Sequence, residues 1–159
     1  MSITIRQAVA ADAEAIFAMI VDLAIYEKAR DEVKTSPEEI KATLFGAESV
    51  TEALICEDNG VMIGYVVFFT SYSTWLGCNG IYVEDLYISP EARGKGAGKA
   101  LLKYIAQLAV QRRCQRVEWS VLDWNQPAID FYDSLGALPQ SEWIRYRLTG
   151  DALLNFAER

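Results

Sequence analysis

A glycine-rich turn constrains this chain more tightly than any other stretch. Residues 81–102 read IYVEDLYISPEARGKGAGKALL. The run from Ile81 to Ile88 sets β-branched and aromatic residues around two acids, Glu84 and Asp85, a composition that reads as a strand. Pro90 punctuates it, and Arg93-Gly94-Lys95-Gly96-Ala97-Gly98 follows. Leu101, Leu102, Ile105, Leu108 and Ala109 then recur at helical spacing. A strand must therefore pass through a glycine turn into the first turn of a helix. Alternate glycines let the backbone approach a ligand closely, and unpaired N–H groups at a helix start favour anions. Arg93, Lys95 and Lys99 add positive charge. The stretch reads as a phosphate cradle, against the plainer reading of an ordinary strand-to-helix loop.

Two common cradles do not fit. The P-loop needs four residues between its first glycine and Gly-Lys-Ser/Thr, and that spacing is absent. The dinucleotide fingerprint needs a third glycine three residues after the second, where this chain has Lys99.

With 159 residues, 52% of them hydrophobic, the chain has the length and apolar content for one domain spanning 1–159, with a substantial core. A formal net charge of −7 argues against nucleic acid as a partner, because phosphate contacts need a basic face. Cys56, Cys78 and Cys114 are odd in number and widely spaced, as expected of reduced thiols in a cytoplasmic protein. There is no histidine. That removes Ser-His-Asp and Cys-His catalysis and every His-based metal motif, so no metal is expected. The first residues, MSITIRQA, lack the pattern of a signal peptide, and no apolar run reaches membrane-spanning length.

Taken in order, Ile3, Ile5 and Gln7 alternate as a first strand. Asp12 is placed to cap a helix carrying Ile16, Phe17, Ile20, Leu23 and Ala24 and ending near Tyr26-Glu27-Lys28. Ser36-Pro37-Glu38-Glu39 starts a second helix, running to about Phe45. Strands at 52–57 and 61–69 flank Asp58-Asn59-Gly60, a hairpin signal. The second contains YVVFF and should be covered on both faces; Ser71 to Gly80 reads as a loop or frayed turn. After the cradle helix, Arg116 to Leu122 predicts a buried strand, Pro127 a short helix ending at Gly136, Trp143 to Leu148 a last strand, and Asp151 to Ala157 a closing helix. That order predicts an α/β (α+β) fold, a mixed sheet with helices on both faces.

The chain resembles the GNAT superfamily of N-acetyltransferases, which hold acetyl-coenzyme A. The resemblance rests on the cradle, on VEDLYI (83–88) before it and on LDWNQPAIDFYDSLGA (122–137) after it. LAIYEKARDEV (23–33), YSTWLG (72–77) and VLDWNQ (121–126) place it nearest the diamine (spermidine/spermine) and thialysine acetyltransferase group. The resemblance implies a mostly antiparallel sheet of about six to seven strands. It implies acetyl transfer from acetyl-coenzyme A to a primary amine of a small molecule, and a homodimer. Coenzyme contacts fall on Leu86, Tyr87 and Ile88, on Arg93 to Lys99 with Ala97 among them, and on Asn125, Ala128 and Tyr132. Tyr26, Glu27, Glu84 and Asp85 would line the amine site, Glu84 accepting a proton through water and Tyr132 protonating the departing thiolate.

The residues themselves leave plainer alternatives. Glu84 also reads as a solvated acidic edge, Tyr132 as a core aromatic, Asn125 as a helix cap, and Tyr26-Glu27 as a solvated helix end. Lys28 and Arg30 make that loop less acidic than a site for long polycations would favour. A silent acyl-coenzyme A-binding module and a protein acetyltransferase are the competing functions.

Overall fold

A computed structural model describes residues 2–158. The backbone falls into two compact units, one running to Ser120 and one starting at Val121.

The first unit begins with β1 (Ile3–Gln7) and α1 (Ala13–Tyr26), as the alternation and the helical spacing predict. Asp12 does not cap α1 with its side chain. Its own backbone is already helical, and its carboxylate accepts the Val9 N–H at 2.7 Å and the Arg6 guanidinium at 2.8 and 2.9 Å. α2 (Pro37–Leu44) starts as expected, the Ser36 hydroxyl accepting the Glu39 N–H at 3.2 Å. β2 (Thr51–Asp58) and β3 (Val61–Ser73) form a tight hairpin. Asn59 (φ +51°) and Gly60 (φ +82°) supply the two left-handed residues that such a turn requires.

β4 (Cys78–Ile88) returns along β3, and the two strands stay paired out to Ser73 and Cys78. Much of the expected Ser71–Gly80 loop is therefore strand, because ladder bonds such as those around Tyr72 and Asn79 join backbones and need no apolar side chains. α3 (Ala97–Gln111) follows, then β5 (Val117–Glu118), which is parallel to β4. The sheet has five strands in the order β1-β2-β3-β4-β5. That is fewer than the resemblance implies, for two reasons. From the expected strand at Arg116–Leu122, only Val117 and Glu118 enter the ladder, opposite Ile81 and Tyr82. Trp143–Leu148 alternates in sequence but is not assigned as a strand among the described residues.

The core lies on both faces of β3. Tyr65 packs with Ile16, Ile55 and Tyr87 under α1 and α2, while Val66 and Phe68 pack with Ile81, Val83, Leu101 and Ile105 under α3. A bulge interrupts the β3–β4 register: Val67 faces Asp85, Phe68 faces Val83, and Glu84 is the extra residue.

The second unit contains α4 (Gln126–Ser134) and α5 (Gly150–Ala157). Among the described residues, no helix is long and apolar enough to cross a membrane.

Candidate active site

The cradle is built from backbone. Gly94 (φ +79°) and Gly96 (φ +86°) hold left-handed conformations, and Gly96 is the N-cap of α3. A Cβ at either glycine would meet nothing within 4 Å, so conformation, not crowding, demands glycine and the space over the loop is open. The first N–H groups of a helix have no partner within it. Here they belong to a helix of 15 residues, with Lys95 and Lys99 exposed beside them. These residues fit a pyrophosphate.

The strand feeding the cradle offers an open edge. Among the described residues, β5 pairs with β4 only at Ile81 and Tyr82. On the other side, the Ser89 N–H reaches the Ile63 carbonyl at 2.8 Å, and Gly64 sits opposite Ile88. Antiparallel pairs alternate between bonded and unbonded. Leu86 and Ile88 thus turn their N–H groups away from β3, toward the edge that β5 leaves uncovered. Gly64 is needed for close approach, since a Cβ there would press on the Tyr87 carbonyl oxygen and the Ile88 side chain.

Arg93 takes a different place from its glycine neighbours. Its Nε donates to the Ile88 carbonyl at 2.8 Å, and its guanidinium carbon lies 5.1 Å from the Tyr26 ring centroid and 5.4 Å from that of Tyr87. It clasps the end of α1 to the end of β4.

That clasp borders an acidic corner. Asp85 is largely buried, and the Tyr65 hydroxyl donates to its Oδ2 at 2.9 Å. Burial pushes the Asp85 carboxyl up, the Tyr65 hydrogen bond pulls it partly back, and the Glu84 charge pushes it further up. Glu27, half-buried at the end of α1, is also pushed up, first by burial and then by the Asp85 charge. Glu84 itself is exposed at the bulge. A bulge, rather than simple alternation, sets Glu84 apart from Asp85.

Within the first unit the structure therefore gathers Tyr26, Glu27, Asp85, Tyr87, Ile88 and Arg93 at one corner. Tyr65 is missing from the sequence reading, which counted it in an apolar run. Its signal was there: it lies opposite Tyr87 and diagonal to Asp85, within reach of a long side chain.

Asn125, Ala128 and Tyr132 belong to the second unit. The Asn125 Oδ1 accepts the Ala128 N–H at 3.4 Å, so Asn125 caps α4. Tyr132 is half-buried on α4, its ring 5.7 Å from that of Phe131, and its carbonyl accepts the N–H groups of Leu135 and Ala137.

Residues 17–137 match the acetyltransferase (GNAT) family, and the chain belongs to it as an N-acetyltransferase. Members of that family use acetyl-coenzyme A. A thialysine N-epsilon-acetyltransferase of Sus scrofa is 38% identical over 167 aligned residues, covering 98% of each chain. An L-ornithine N5-acetyltransferase of Arabidopsis thaliana is 47% identical over 93 residues, covering 58% of this chain and 41% of its own. Among solved structures, a V. cholerae integron cassette protein shares the fold with a TM-score of 0.84 and 24% identity, covering 100% of this chain and 99% of its own.

Proposed function

We propose that the chain moves an acetyl group from acetyl-coenzyme A to the primary amine of a small molecule, by direct transfer while both substrates are bound. The observation that carries this reading is the pairing of Asp85 and Glu27. Two carboxylates beside an anion cradle, each raised first by burial and then by a neighbouring carboxylate (Asp85 acting on Glu27, Glu84 on Asp85), hold charge that an ammonium relieves. The relatives named for thialysine and ornithine support an amino-acid-like or short diamine acceptor over a long polyamine. Lys28 and Arg30, close to Glu27 in the chain, support the same choice.

Acetyl-coenzyme A supplies an activated thioester. Gly94, Lys95, Gly96, Ala97, Gly98 and Lys99 hold its pyrophosphate, and Arg93 braces the loop from beneath. Leu86 and Tyr87 run beside the pantetheine arm as a neighbouring strand would, with Asn125 and Ala128 as further contacts. The outward N–H of Ile88 polarises the thioester carbonyl. An amine with a pKa near that of lysine arrives charged. Tyr26, Glu27 and Asp85 receive it, and Glu84, exposed at the bulge, takes its proton through water. Tyr132 returns a proton to the departing thiolate, a role a phenol can fill in a chain without histidine. We further propose that 1–159 works as a single domain without a metal, as a cytoplasmic homodimer, with no nucleic-acid or membrane partner.

The test follows thiol release from acetyl-coenzyme A with thialysine, lysine, ornithine, putrescine, spermidine, spermine and a lysine-bearing peptide. Wild type turns over a small amine, and Tyr132→Phe lowers kcat by about a hundredfold, within the range for a lost general acid. Coenzyme binding without thiol release on any amine would overturn the reading in favour of a silent binding module. Turnover of the peptide alone would favour a protein acetyltransferase.

A further inference from the structure

Tyr65 is fully buried in β3, yet its hydroxyl ends on a carboxylate. A buried phenol needs a partner, and many neutral acceptors would serve. This one holds Asp85 by Oδ2 and leaves Oδ1 uncommitted to it. We propose that Tyr65 is a positioning residue for the amine site: it clamps one oxygen of Asp85 so that the other, with Glu27, forms a two-carboxylate receptor sized for one ammonium. The inference rests on the amine-transfer reading above.

The surroundings support it. From α1 the charged and titratable groups at this corner are Asp22, Tyr26 and Glu27; from β3, Tyr65; from β4, Glu84, Asp85 and Tyr87; beyond β4, Glu91 and Arg93. Of the cations nearby, Lys28 follows Glu27 in the chain, and Arg93 lies against the Tyr26 and Tyr87 rings and the Ile88 carbonyl. The Asp85 charge raises Glu27, and the Glu84 charge raises Asp85. Without the phenol, Asp85 would lose the hydrogen bond that favours its ionised form. It would also gain freedom to rotate. An ammonium binds the ionised pair, so amine affinity must fall as pH drops through the range where the pair takes up a proton. Removing the phenol moves that fall to higher pH.

Tyr65→Phe tests this, because it keeps the ring and its packing. The expected result is an amine KM raised about tenfold, as for a lost hydrogen bond to a charged group, with kcat and the KM for acetyl-coenzyme A little changed. The acid limb of kcat/KM for the amine shifts to higher pH. A lowered Tm with unmoved KM and pH profile would show a merely structural phenol and overturn the proposal. If Tyr65→Phe does not fold, Asp85→Glu keeps both phenol and charge while moving the carboxylate off its clamp. It must raise the amine KM, and an unchanged KM there also overturns the proposal. Wild-type turnover of no amine would instead defeat the reading on which this one rests.

Discussion

The cradle and the acidic corner adjoin along β4, yet they are built from opposite materials. The cradle is backbone: two left-handed glycines, a helix start and an open strand edge. The corner is side chain: Tyr65 from β3, Asp85 from β4 and Glu27 from the end of α1. On the proposed reading, the backbone site recognises what every acyl-coenzyme A shares. A side-chain site can be retuned by single substitutions without disturbing the sheet. The difference explains how one fold can keep its donor while its acceptor changes.

That division of labour can be broken first at Asp85. Asp85→Asn should raise the amine KM by about a hundredfold, as expected when one member of a buried charge pair is truncated, and leave acetyl-coenzyme A binding intact. Steady-state kinetics with each substrate varied in turn would check it; a parallel loss of coenzyme affinity would merge the two regions into one. Gly96→Val should do the reverse. A β-branched residue in the left-handed region costs about 2 kcal/mol, so coenzyme affinity measured by calorimetry should weaken about thirtyfold while the amine KM stays near wild type.

The smallest effect concerns stability. Asp85 and Glu27 are both raised in the folded state, so the native chain binds more protons than the unfolded one above the ordinary carboxylate range. Stability therefore falls as pH rises from that range through the raised values. Asp12, held low by Arg6, has the opposite sign, its contribution being lost as pH falls. Asp85→Asn should thus melt above wild type at neutral pH, by on the order of 1 kcal/mol, with the gain vanishing near about pH 4. A variant that is crippled in amine use yet more stable would mark the corner as strained for function. A variant that melts lower at neutral pH would assign Asp85 a structural role instead.

The same contrast decides what could be read from the chain. The cradle glycines, the hairpin and the α2 cap were legible because each is written in local residues whose backbone needs are specific, whereas Asp12 turned to Arg6 and Val9 instead of capping α1. Gly94 and Gly96 take positive φ, Asn59-Gly60 turns the hairpin, and Ser36 caps α2. The corner was legible only in part. Glu27 and Asp85 were named through resemblance, but Tyr65 looked like one more apolar residue until pairing set it against Asp85. The strand ends were hardest. Ser71–Ser73 is polar yet paired, while Trp143–Leu148 alternates yet is not assigned as a strand among the described residues. Pairing is a property of two segments, and no single segment announces it.

The bulge at Glu84 has a consequence for how this strand tolerates change. Up to Val83 the odd-numbered residues of β4, Ile81 and Val83, pack under α3; from Asp85 onward the even-numbered Leu86 and Ile88 do so, and Tyr87 faces α1. One surplus residue acts as a frameshift in three dimensions. Were Glu84 to enter the ladder as an ordinary residue, Asp85 would turn into the apolar layer beneath α3 and Ile88 toward the carboxylates, transposing the two faces of the strand. At this position the bulge, and not plain alternation along the sequence, sets which face each side chain takes. The side chain of residue 84, exposed and outside the ladder, is free to carry chemistry without disturbing either face.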